Sequence, residues 1–157
     1  NYNPIEKWFF DRITHGRFIP VPLEGQVITQ LGHVSDLAEA ILKSLQTDKA
    51  INQIYNCSGS KAITFKGLIE TAILATGNRV TDFDLRPFDP SKLDPKARKL
   101  FPLRLTNFFT DISKIKKDLN WSPKYDLLNG LIDSYENDYS LAKHEHIDFS
   151  SDYLLFD

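Results

Sequence analysis

Apolar residues recur along this chain at two spacings, and each spacing predicts an element. Over residues 4–15, Ile5, Trp8, Phe9 and Ile13 stand at near-helical intervals, with Pro4 suited to a first helical position and Gly16 to the stop. FIPVPL (18–23) is apolar throughout, but its two prolines lack ladder donors and exclude a central strand. Gly25 then turns the chain and VITQLGHV (27–34) reads as a short strand. Ser35 is the expected cap of a helix over 36–45, whose apolar face carries Leu37, Ala38, Ile41, Leu42 and Leu45.

Farther on, IYNCSG (54–59) reads as a strand ending in a turn. Thr64 is placed to cap a helix over 65–76, Ile63 and Leu68 occupy its staple positions, and Gly77 suits the position just past its end. DFDLRPF (82–88) alternates like a strand up to Pro87. Prolines punctuate 89–102, leaving room for one helical turn. Thr110 is the expected cap of a helix over 111–119, with Pro123 closing that region. Leu127, Leu128, Leu131, Ile132 and Tyr135 mark a last amphipathic helix, and 143–157 form a polar tail with an apolar end, expected to be held by docking. Strands alternate with helices, which points to an α/β fold built as one domain over 1–157.

Composition narrows the class. The 157 residues suffice for one ordinary domain, and 41% hydrophobic with 25% charged residues is the balance of a globular protein. No apolar run approaches the ~20 residues of a membrane span, so no membrane partner is expected. One cysteine, Cys57, excludes an intrachain disulfide and suits a reducing compartment; the Asn56-Cys57-Ser58 sequon is discounted because no signal peptide supports secretion. The chain contains no methionine, from which processing or truncation of a longer product is expected.

Charge is unevenly spread. The net charge of −2 conceals a basic block at 92–117, where Lys92, Lys96, Arg98, Lys99, Arg104, Lys114, Lys116 and Lys117 face only Asp94 and Asp111. An acidic stretch follows from 118 onward. Such a block can serve a polyanion or simply solvate a surface. No G-x-G-x-x-G or G-x-x-x-x-G-K-[ST] occurs, so a dinucleotide site is not complete within these residues.

Three stretches in this order, GHVSDLAEAI (32–41), QIYNCSGSKAITFKGLIETAILATG (53–77) and TDISKIKKDLNWSPKYDLLNGLIDSYENDY (110–139), together with NYNP at 1–4, resemble the C-terminal half of an extended short-chain dehydrogenase/reductase, the superfamily of nucleotide-sugar epimerases and dehydratases. The resemblance implies the substrate-side portion of an extended Rossmann-type protein: a small mixed sheet with flanking helices, the glycine-rich NAD(P) half absent. It implies an N-terminal Rossmann domain as partner, NAD(P) in a full-length protein and no cofactor in this stretch. Where the epimerases carry a diphosphate-clamping arginine followed by an acid, this chain has Thr29 and Gln30, which argues against ordinary sugar-nucleotide chemistry. The Tyr139-to-Lys143 spacing imitates the superfamily's Tyr-x-x-x-Lys pair, in the wrong part of the chain.

PIEKWFFDRI (4–13), PLRLTNFFTDISKIKKDLNW (102–121) and KHEHIDFSSDYLLFD (143–157) resemble more closely the chloroplast stem-loop binding protein family and its cyanobacterial counterparts. That resemblance implies an RNA partner, a location in the chloroplast stroma or cyanobacterial cytoplasm, and, for the whole protein, ribonuclease-like chemistry; it leaves oligomerisation open. The alternatives are an epimerase or dehydratase substrate domain and a non-catalytic scaffold. Candidate phosphate-cleft residues are Arg104, Arg86, Asn3, Thr29 and Gln30. Candidate nucleic-acid contacts are Lys96, Arg98, Lys99, Lys114, Lys116, Lys117 and Phe108, although of the adjacent pair Phe108 and Phe109 at least one ring is expected in the core. His33 is expected to be a structural hydrogen-bonder, Asp82 and Asp84 surface charges, and His144-Glu145-His146 no metal site.

Overall fold

A computed structural model describes residues 5–142 and 147–156. Helix α1 (Ile5–Thr14) buries Trp8, Phe9 and Ile13, three of the four apolar positions read from the sequence, together with Phe10, Asp11 and Arg12, while Ile5 is half-buried. Strand β1 (Ile19–Pro22) follows. Among the described residues it pairs only with β4 (Leu85–Phe88), in parallel, with Ile19 opposite Leu85 and Pro22 opposite Phe88. A two-stranded sheet leaves each strand an open edge, so the prolines of β1 sit where their missing donors cost nothing. Pro87 lies inside β4, opposite Val21, and does not end it.

The predicted strand at 27–34 contracts to β2 (Ile28–Thr29), antiparallel to β3 (Ile63–Thr64). Gly25 makes the preceding turn with φ of 78°, and a Cβ there would stand 2.8 Å from the backbone nitrogen of Lys66, so both conformation and space require glycine. Helix α3 (Phe65–Ala75) starts as predicted: the Thr64 hydroxyl accepts from the Gly67 amide at 3.1 Å, and Gly77 follows the end with φ of 78°.

Helix α2 (Val34–Ser44) departs from expectation twice. Its cap is His33, whose Nδ1 accepts from the Ser35 amide, rather than Ser35 itself. Its buried residues are Asp36 and Ala40, while Leu37, Ile41 and Leu42, and Leu45 just beyond, face solvent. Residues 54–59 form no strand: the backbone of 54–58 makes no backbone hydrogen bond among the described residues, and the Gly59 amide alone donates, to the Leu31 carbonyl at 2.8 Å. Helix α4 (Ser113–Leu119) is capped locally by Asp111, which accepts from the Ser113 amide at 2.8 Å; Thr110 is engaged elsewhere. Helix α5 (Leu127–Ser134) begins on Asp126 and runs into a wider turn over Tyr135–Tyr139.

Two apolar clusters organise these elements. The larger joins α1, β1, α3 and β4 around Phe101, whose ring meets Trp8 and Phe65 at 5.4 Å and Phe88 at 5.9 Å. The smaller packs Trp121 against Ala40 of α2 and Ile112, Ile115 and Leu119 around α4. The helical turn Ser150–Leu155 docks on α1, burying Leu155 in the larger cluster and setting Asp152 against the guanidinium of Arg12.

Candidate functional site

Arg104 lies exposed, with its guanidinium 4.8 Å from the centre of the Phe108 ring. Both rings of the Phe108–Phe109 pair are exposed, contrary to the expectation that one would enter the core. The cause is local pairing. The Phe108 amide donates to the Ile28 carbonyl at 2.9 Å, and the Asn107 side chain accepts from the Ile28 amide at 2.9 Å. This segment lies along the edge of β2 with its rings turned outward, beside a cation that could share a stacked base.

The remaining cations divide into engaged and free. Arg98 is bound to its own loop, donating from Nε to the Leu93 carbonyl at 3.1 Å. Lys114 bridges Asp118 at 2.8 Å and sits 4.0 Å from the centre of the Tyr55 ring; those contacts push its pKa up and hold Asp118 below the usual carboxylate range. Arg86 bridges Asp84 at 2.6 Å and lies over Phe18, and Asp82 is bridged by Arg79. Lys96, Lys99, Lys116 and Lys117 are exposed, with side chains in no salt bridge or hydrogen bond among the described residues.

Thr29 is buried in β2. Gln30 braces the scaffold: its Oε1 accepts from the Thr110 amide at 2.7 Å and its Nε2 donates to the Gly59 carbonyl at 2.6 Å. Both ends of the amide are therefore spent on main chain. Asn3, Lys143, His144, Glu145 and His146 lie outside the described residues.

Residue patterns alone left one feature out. A groove of roughly 1040 Å³ opens between the start of α2, the 57–63 segment and α5. His33 stands in its wall, stacked on Tyr125 at 3.8 Å, with Nε2 3.0 Å from the Asp133 carboxylate. The structural role expected of His33 holds. Beneath it the buried carboxylate of Asp36 accepts from the amides of Lys124 and Tyr125, and the Asp36 carbonyl accepts from the Trp121 indole at 3.0 Å. The Asn-Trp-Ser-Pro turn is thereby pinned to α2. The thiol of Cys57, which also lines the groove, has its pKa pushed up by burial and then by the Asp36 charge. The groove offers hydrogen-bonding groups and apolar walls, and burial works against the thiolate of Cys57.

No family model matches the chain. Over 156 residues it is 42% identical to the chloroplast stem-loop binding protein of 41 kDa b from Arabidopsis thaliana, a match that takes in 99% of this chain and 41% of that protein. Among solved structures, UDP-glucose 4-epimerase from Thermotoga maritima is similar with a TM-score of 0.68 at 21% identity, over 90% of this chain and 41% of that one. UDP-glucuronic acid 4-epimerase from Bacillus cereus, in complex with NAD, is similar with a TM-score of 0.67 at 17% identity, over 89% and 40%. The chain thus spans about two fifths of the length of the proteins it matches. Its fold is that of about two fifths of these epimerase chains. No glycine-rich loop is present in these residues to receive the pyrophosphate of NAD.

Proposed function

The chain is a homologue of a chloroplast stem-loop binding protein on an epimerase-type fold, and on that premise we propose that it is the substrate-side portion of an RNA-associated protein working in the chloroplast stroma or its cyanobacterial equivalent. The identity of 42% across 99% of the chain carries this reading. Two features of the surface support it: exposed lysines whose side chains form no salt bridge or hydrogen bond among the described residues, and the outward-facing Phe108 and Phe109 beside Arg104. Lysines of this kind would neutralise phosphates and release counterions, while the rings would stack unpaired bases. NAD(P) binding and any ribonuclease-like or epimerase-like step belong to the longer protein.

The test is titration of a stem-loop RNA at several salt concentrations. The triple variant Lys99→Glu, Lys116→Glu and Lys117→Glu is expected to weaken binding and to lower the slope of log affinity against log salt by roughly 2 to 3. Lys114→Glu is a poorer probe, because it also breaks the bridge to Asp118. Unchanged affinity and slope in the triple variant would remove this surface from the RNA reading. Binding of a UDP-sugar with no RNA binding would favour the epimerase reading instead.

A further inference from the structure

The segment that carries the outward rings is pinned to β2 and the residue after it. The Asn107 side-chain oxygen accepts from the Ile28 amide, and the Phe108 amide donates to the Ile28 carbonyl, both at 2.9 Å. Two residues on, the Thr110 amide donates to Gln30 Oε1 at 2.7 Å. These three bonds set residues 107–110 in place before any ligand arrives, so a contact made there costs little ordering.

One of the three bonds also decides what Asn107 shows to solvent. With Oδ1 spent on the Ile28 amide, the side chain has a single orientation and its NH2 group remains as two donors. Asn107 is exposed, and Nδ2 makes no hydrogen bond among the described residues. The exposed guanidinium of Arg104 lies 4.8 Å from the centre of the Phe108 ring, a looser approach than the 3.4 Å of Arg12 over Trp8. It makes no salt bridge or hydrogen bond among the described residues. The nearby Asp111 carboxylate is turned into its own helix start, accepting from the Ser113 amide at 2.8 Å and hydroxyl at 2.6 Å. What Arg104 and Asn107 offer beside the ring is therefore donors alone. That set is selective among bases. Guanine presents two adjacent acceptors, O6 and N7, on one edge, whereas adenine presents one acceptor beside an amine donor. Two donor groups meet guanine without conflict and leave the adenine amine facing another donor.

We propose that Phe108, Arg104 and Asn107 form a guanine-preferring site for an unpaired RNA nucleotide. The base stacks on the Phe108 ring while its O6 and N7 accept from the Arg104 guanidinium and the Asn107 NH2 group. Phe108 supplies affinity common to all bases, since every base has a face to stack. Arg104 and Asn107 determine which base is held. The inference rests on the RNA reading above and adds to it the identity of the base and the edge by which it is read.

Fluorescence anisotropy tests it with stem-loop RNAs whose loop is uridine except for one test nucleotide. Guanine at that position is expected to bind about tenfold tighter than adenine. Inosine, which keeps O6 and N7, should match guanine, and 7-deazaguanine, which lacks the N7 acceptor, should fall towards adenine. Asn107→Asp keeps an acceptor for the Ile28 amide but removes both donors, so the guanine preference should be lost at an unchanged thermal midpoint. Arg104→Lys keeps the charge without the fork; the salt slope should hold while the guanine-to-adenine ratio drops. Equal affinity for guanine and adenine in the wild type, with the triple lysine variant still weakened, would overturn this site and leave the RNA reading standing. A loss on inosine as large as that on adenine would also overturn it, because the other edge of guanine would then be the one recognised. Failure of every RNA to bind at any salt concentration would remove both.

Discussion

Arg12 and Asp152 form a buried ion pair 140 residues apart, and the guanidinium also donates to the Trp8 carbonyl and lies 3.4 Å from the centre of the Trp8 ring. Burial lowers the Arg12 pKa, and the hydrogen bond and charge of Asp152 oppose that shift. Asp152→Ala should therefore cost about 3–5 kcal/mol in urea unfolding, since it strands a desolvated cation, whereas replacing both partners by apolar residues should cost far less. Tyr139 is a second sensitive position. Burial pushes its phenol up to about 12, against an ordinary value of 10.0. The folded state holds that proton more tightly, so its contribution to stability is complete below pH 10 and is lost as pH rises through about 12. Alkaline unfolding of the wild type and of Tyr139→Phe should diverge in that window; coincident profiles would show that the phenol is not the linked group. Neither role was legible beforehand, because nothing in the sequence says that position 152 returns to α1.

At the scale of elements, local chemistry explains the successes. Apolar spacing in α1, the Thr64 cap and the glycine after α3 act over one helical turn, and each stands where the residues placed it. Two of the failures share a cause: they depended on partners distant in sequence. Thr110 gave up its cap role because Gln30 accepts from its amide and its hydroxyl meets Ser58 at 2.9 Å. Phe108 turned outward because Asn107 and Phe108 pair with Ile28. Gly25 joins the two kinds of position, legible as a turn yet fixed by contact with α3. Gly25→Ala is expected to destabilise the protein by more than the usual ~1 kcal/mol, because a Cβ would stand 2.5 Å from that of Lys66 while φ stays at 78°. Chemical denaturation checks this, and a loss within ~0.5 kcal/mol would show that the turn relaxes freely.

For the molecule as a whole, the family motifs were readable in the residues, and they led to the stem-loop binding relatives and the epimerase-type fold that the comparisons bear out. Class, approximate elements and kinship follow from composition, periodicity and motif, all of which are local or ordered along the chain. The candidate site was only half legible. Which residues are basic is a property of the sequence, but which are bridged depends on where carboxylates fall in space: Lys114 has Asp118 and Arg86 has Asp84, whereas Lys99, Lys116 and Lys117 form no salt bridge among the described residues. The direction of the α2 stripe was likewise undecidable from periodicity, which marks an apolar face without saying what it meets. Folding settled it by burying Asp36 and Ala40 against the Trp121 turn, where a carboxylate could satisfy two amides, and by leaving Leu37, Ile41 and Leu45 on the outside.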